Sequence, residues 1–258
     1  MTNSRDFFVK GRRFSDGYFI YVLGKEYLGV SGLFSNILML LSFAELGIGN
    51  AMIYSMYKPA KEGNSETLKS LLALYKKAYQ TIGCIVALLG LSALPFLDTL
   101  IHGTAEGIKE PISVLYILFL ANSVVTYFFA YKQSVLFAYQ NDYVVTLNTL
   151  VFYTISTGVQ ILFLLLTHDY IIYLIIAVVF SFLTNWSISR KVDKKYPELK
   201  GTAEILPHEV KKSIFKNVRA LAVYKIGSVV LNGTSNIMLS YLFNVTSVGL
   251  YSNYSLFT

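Results

Sequence analysis

The stretch YVVTLNTLVFYTISTGVQILFLLLTHDYIIYLIIAVVFSFLTNW, residues 143–186, contains one charged side chain, Asp169. A helix rises about 1.5 Å per residue, so roughly 20 mostly apolar residues cross a hydrocarbon layer about 30 Å thick. Two such segments sit here, Tyr143–Leu166 and Tyr170–Trp186, separated only by Thr167, His168 and Asp169. A chain that crosses lipid, turns at once and crosses back is the expected fold. Working outward, the same pattern recurs at Gly29–Tyr54, Thr81–Ile101, Ile112–Tyr131 and Leu221–Phe243, and a seventh span begins near Ser247. A short apolar stub, Tyr18–Leu23, precedes the first. Lys and Arg accompany it, but it is too short for a secretory leader and no small-residue cleavage site follows.

Composition agrees. Of the 258 residues, 54% are hydrophobic and only 14% charged, with a mean hydropathy of +0.52. Soluble domains carry roughly 25% charged residues, so a water-soluble enzyme or a nucleic-acid binder fits poorly despite the net charge of +7. Cys84 is the single cysteine and permits no internal disulfide. The basic residues alternate between loops. Fifteen fall after the first, third and fifth spans, among them Lys58, Lys69, Lys76, Lys132, Arg190 and Lys195, against Lys25 and Lys109 on the other side. The positive-inside rule assigns the rich side to the cytoplasm.

Two basic segments, Leu68–Tyr79 and the one opened by Pro207, repeat apolar residues at helical spacing. Leu68, Leu71, Leu72, Tyr75 and Tyr79 form one such face, and Val210, Ile214 and Val218 another. They read either as helices lying at the headgroup level against anionic lipid or as extensions of the next span. Glu45 is the one acidic residue well inside a span, and a carboxylate in lipid must face a bundle interior or a wet cavity. Gly47, Gly49 and Asn50 follow it and let a helix bend or pack closely. Polar residues line up elsewhere. Thr149, Tyr153, Ser156 and Gln160 share one helix face; Asn122 and Thr126 are one turn apart; Lys225, Ser228, Asn232, Ser235 and Asn236 fall within one arc. Each stripe alone reads as interhelical glue, and the three together as the wall of a hydrophilic lumen. His102, His168 and His208 have no metal-ligand spacing, and no nucleophile elbow, phosphate loop or catalytic carboxylate pair is present, so neither enzyme nor cofactor is expected.

The segment LGKEYLGVSGLFSNILMLLSFAELGIGNAMIYSMYKP, residues 23–59, resembles the polysaccharide-transport family of lipid-linked repeat-unit flippases within the multidrug/oligosaccharidyl-lipid/polysaccharide exporter superfamily. FAYQNDYV, KKYPEL, YKIGSVVLNGTSNIMLS and VGLYSNYS are similar too, in the family's order. The resemblance implies an all-α, polytopic bundle, about half of a two-bundle exporter, in a bacterial cytoplasmic membrane. Residues 1–28 would be an atypical N-terminus with the remnant of a first helix, and 29–186 five helices of the first bundle. Residues 187–220 would be a basic cytoplasmic linker, and 221–258 the start of a truncated second bundle. It implies movement of undecaprenyl-diphosphate-linked oligosaccharide, with anionic lipid, the polysaccharide polymerase and the chain-length machinery as further partners. Lys225 and Asn232 fit the family pattern, whereas Tyr224 and Ser235 stand where relatives often carry His and Asp. The alternatives are an ion-coupled small-molecule exporter on the same scaffold, a membrane glycosyltransferase or polymerase, and a non-functional remnant.

Overall fold

The computed structural model describes residues 25–45, 47–97, 108–201, 212, 214, 216–224 and 227. Within them the chain is helical, with no β-strand. In order these are α1 (Lys25–Leu41), a 3-10 turn (Ser42–Glu45), α2 (Ile48–Glu62), α3 (Ser65–Ser92), a 3-10 turn (Leu94–Phe96), α4 (Ile112–Ala138), α5 (Asp142–Thr167), α6 (Tyr170–Lys195) and a 3-10 turn (Pro197–Leu199). Two compact units divide the chain, one drawn from Met1–Glu45 and Met52–Leu206 and the other from Leu46–Ala51 and Pro207–Thr258.

In the first unit, four helices are long and apolar enough to cross a membrane: α3 with the turn that follows it, α4, α5 and α6. Local signals set their ends. The Asn64 side chain accepts the Thr67 amide at 3.0 Å and starts α3 just after Gly63, which lies at φ +70°. Asp169 Oδ1 accepts the Ile171 amide at 2.7 Å and starts α6. One residue earlier His168, at φ 55°, closes α5 by donating its amide to the Leu164 carbonyl at 2.9 Å. A side-chain acceptor at a helix start and a left-handed residue at a helix end each satisfy backbone groups that the helix leaves unpaired. The chain therefore reverses between α5 and α6 in two residues.

The spatial order of the long helices is α3, α4, α6, α5, because α6 packs between α4 and α5, which touch each other little. Gly83 and Gly90 share one face of α3 and let α4 approach closely. A Cβ at Gly83 would meet the Tyr127 Cβ at 3.1 Å, and one at Gly90 would strike the Leu120 side chain. Phe34 of α1, fully buried, lies edge-on to Tyr116 and Phe119 of α4 with ring centroids 5.2 and 5.4 Å away. Asn148 ties α5 to α6. Its amide donates to the Thr184 carbonyl at 3.1 Å, and its oxygen accepts from Ser187 and Lys191 at 2.9 and 2.7 Å.

At most 28% of any of the four apolar windows is buried inside the protein. On α5 the outward residues Leu147, Val151, Ile155, Leu162 and Leu166 are all apolar and at least half exposed. The buried residues of the same helix include Asn148, Ser156 and Gln160. A helix with its apolar face outward and polar side chains inward is stable in lipid and not in water. The protein is a multi-pass membrane protein.

One expectation is corrected here, and one open pair of readings is decided. Gly29–Tyr54 is not one span: α1 stops at Leu41, a 3-10 turn follows, and Gly47 takes φ +77° before α2 begins. The left-handed conformation that glycine permits is incompatible with a continuous helix. Of the two readings of Leu68–Tyr79, the extension of the next span is the one observed. It is the first half of α3, and Leu68, Leu71, Leu72, Tyr75 and Tyr79 are buried against the rest of the bundle, with the Pro197–Leu199 turn packed on the same helix. At 28 residues α3 is about 42 Å long, so roughly 12 Å projects beyond a 30 Å hydrocarbon core.

Of the second unit, Ile214 is buried, while Lys212, Lys216 and Arg219 are exposed on helical backbone. The stub Tyr18–Leu23, most of the expected spans at Leu221–Phe243 and beyond Ser247, and Pro207 and Val210 lie outside the described residues.

Candidate functional site

A cavity of about 620 Å³ opens in the first unit where α4 and α5 part on either side of α6. Each helix supplies one row of residues at helical spacing. Asn122, Thr126 and Gln133 come from α4, Thr149, Tyr153, Ser156 and Gln160 from α5, and Ser181, Thr184 and Asn185 from α6. Tyr79 of α3, Tyr127 of α4 and Glu45 of the first 3-10 turn complete the polar wall, with Phe152 and Phe180 as aromatic faces. Five of the eight residues singled out from sequence thus line one space: Glu45, Asn122, Thr149, Tyr153 and Gln160. The other three, Lys225, Asn232 and Asn236, lie outside the described residues, as do His102 and His208.

Hydrogen bonds divide the wall into groups already committed and groups left facing the space. Gln133 Nε2 donates to Asn185 Oδ1 at 2.8 Å, and Asn185 Nδ2 to the Ser181 carbonyl at 2.8 Å. Gln160 Nε2 donates to the Tyr173 carbonyl at 3.2 Å, tying α5 to α6. These amides hold helices together, as polar residues in lipid-embedded bundles do. Asn122 Oδ1, in contrast, is buried with no hydrogen-bond partner among the described residues. A buried acceptor without a donor costs on the order of 1–3 kcal/mol, so this oxygen favours a hydrogen-bonding guest or water.

Glu45 is the one carboxylate among the described wall residues, and Tyr79 Oη donates to its Oε1. The Tyr79 ring stands edge-on to Tyr75 at 4.5 Å and lies 6.0 Å from the Tyr127 ring. This tyrosine group positions the carboxylate and shields one side of it from lipid. Among the described residues, no lysine or arginine lines the cavity. The described wall is therefore a hydrogen-bonding surface rich in hydroxyls and amides, with Glu45 as its one ionisable acid. Such a surface matches hydroxyl-bearing guests by paired hydrogen bonds and by apolar contact with aromatic faces. Among the described residues no cluster of His, Cys, Asp or Glu is placed to hold a metal ion.

Several wall residues escaped the sequence reading. Ser181, Thr184 and Asn185 follow the same spacing rule, but the apolar run Ile171–Phe180 just before them hides it. Gln133 extends the row begun by Asn122 and Thr126. Tyr79 and Tyr127 enter through tertiary packing, which no local pattern announces.

The fold and the chamber together define a multi-pass membrane protein with a sheltered polar cavity between its spans. No protein-family model, no curated protein and no solved structure matches this chain.

Proposed function

We propose that the protein moves the oligosaccharide head group of an undecaprenyl-diphosphate-linked repeat unit across a bacterial cytoplasmic membrane. The observation that carries this reading is the wall of hydroxyls, amides and aromatic faces set inside helices whose outer surfaces are apolar. Carrying a sugar through bare hydrocarbon would cost several kcal/mol for each unpaired hydroxyl. A chamber with partners on three helices removes most of that cost, while the polyprenyl tail stays in lipid. The diphosphate needs cationic donors, for which Lys225 of the expected sixth span is the candidate. The order of family-like segments between residues 23 and 256 supports the same substrate class. The basic ends of α3 and α6 are then cytoplasmic, and the turn between α5 and α6 faces outward.

Expressed from its complete gene in a strain that lacks its own repeat-unit flippase, the protein is expected to restore surface polysaccharide, read on intact cells with a lectin or antiserum. Continued absence of the polymer, with the protein present in the membrane, contradicts the proposal. Glu45 in the chamber wall favours a second reading, an ion-coupled exporter of small cations. That reading predicts altered drug resistance instead of restored polysaccharide.

A further inference from the structure

A second concavity, of about 360 Å³, lies at the lysine-bearing end of the first unit and shares no lining residue with the chamber. Three separate parts of the chain build it: the first turns of α3, the last turns of α4, and the end of α6 with the turn after it. Lys69 and Lys76 come from α3, Lys132 from α4 and Lys200 from beyond the Pro197–Leu199 turn, against one carboxylate, Asp193. Asp193 is already engaged, its Oδ2 at 2.5 Å from Lys132 Nζ. No described carboxylate pairs with Lys69, Lys76 or Lys200.

The remaining walls are rigid and largely apolar. Leu72, Val192 and Leu199 are buried beneath the lysines. The Tyr196 ring stacks on Tyr139 with centroids 4.5 Å apart, and its hydroxyl accepts from Asn141 Nδ2 at 2.9 Å. Burial first, and the Glu198 charge second, push the Tyr139 phenol above its ordinary range, so this hydroxyl adds no negative charge. Gly201, at φ +103°, turns the chain past the rim, where even a Cβ would lie 4.0 Å from Lys69 Nζ. Lys76 reaches across to the Tyr131 ring, its Nζ 5.9 Å from the centroid.

Three cations with no described carboxylate in ion-pair contact, set around one small apolar-floored concavity, repel one another, and an anion placed among them removes that repulsion. Lys69 and Lys76 are seven residues apart on one helix face, about 10 Å along the axis, and their flexible stems can close on a single guest. Ammonium groups bind phosphate as mobile point charges rather than as fixed forks, so a phosphate oxygen cluster fits better than a planar carboxylate.

We infer that this cleft is a binding site for a phosphate-bearing anion, held by Lys69, Lys76 and Lys200. Its position, on the part of α3 that projects beyond the hydrocarbon core, opens it both to lipid phosphates of the adjoining headgroup layer and to free phosphates in water. The inference does not depend on the transport reading, since a chain that moved nothing would still hold the anion.

The full chain in neutral detergent is titrated with inorganic pyrophosphate by calorimetry, and in nanodiscs of phosphatidylcholine with and without phosphatidic acid its retained lipid is counted by native mass spectrometry. Lys69→Gln with Lys76→Gln is expected to weaken binding at least roughly tenfold, the loss that follows from removing charge-assisted hydrogen bonds. Lys77→Gln with Lys194→Gln, exposed lysines outside the cleft, removes equal charge and is expected to leave binding unchanged. If the first pair fails to fold, exposed Lys76 replaced alone gives the same readout. Binding of pyrophosphate alone identifies a free phosphate as the guest, and retention of phosphatidic acid alone a headgroup. No binding of either, or equal loss in both pairs of variants, overturns the site.

Discussion

Under the proposed function, tryptophan in place of Ser156 is expected to reduce polysaccharide export at least roughly tenfold, equivalent to about 1.4 kcal/mol on the barrier, with the protein still inserted and folded. Ser156 is buried on α5 and lines the chamber. An indole there projects into about 620 Å³ of open space, so it need not overpack the helices, yet it removes width and hydroxyl partners together. The neighbouring Ile155 is half exposed on the apolar face. Tryptophan at that position meets lipid and is expected to leave export unchanged. Export measured side by side for the two variants, at matched membrane abundance, checks the role of the chamber. Equal export from both would mean that the chamber is not on the path.

The second large effect concerns the Tyr79–Glu45 pair. Removing the Tyr79 hydroxyl as Tyr79→Phe leaves a carboxylate at a lipid-embedded wall without its donor. Hydrogen bonds to charged groups contribute about 1.5–3 kcal/mol, so melting in detergent is expected to fall by roughly 3–10 °C. Glu45→Gln keeps an acceptor for Tyr79 Oη and is expected to melt close to the wild type. Its signature is different: with the one described carboxylate of the wall replaced by an amide, the response of export to pH is expected to flatten. A wild-type pH profile in Glu45→Gln would remove any proton-handling role for the chamber, while unchanged melting of Tyr79→Phe would show that the bond contributes nothing to the fold.

What could be read from residues alone depended on how local the cause was. The four long spans follow from apolar length, and the α5 row Thr149–Gln160 from helical spacing in an apolar setting. Periodicity also found the apolar face Leu68–Tyr79, but it cannot say whether lipid or protein covers that face. Tertiary packing decided it, with the Pro197–Leu199 turn, more than a hundred residues away, packed on the same helix. The ELGIG segment was legible as a place to bend. That Gly47 takes φ +77° is not announced by local sequence, and the contact of Glu45 with Tyr79 depends on tertiary packing onto α3. The lysine cleft was invisible for the same reason. Sequence places Lys69, Lys132 and Lys200 on one side of the membrane, and only the antiparallel packing of α3, α4 and α6 brings them to one concavity.

The polar-inside, apolar-outside arrangement of α5 is tested most directly by two adjacent cysteines. With Cys84 replaced by serine, Ser156→Cys and Ile155→Cys are treated in native membranes with a water-soluble maleimide. Ser156→Cys is expected to be modified through the wet chamber, and Ile155→Cys to react only after the membrane is dissolved and the protein denatured. Modification of Ile155→Cys in intact membranes, with Ser156→Cys inert, would contradict both the embedding of this helix in lipid and the hydrated chamber behind it.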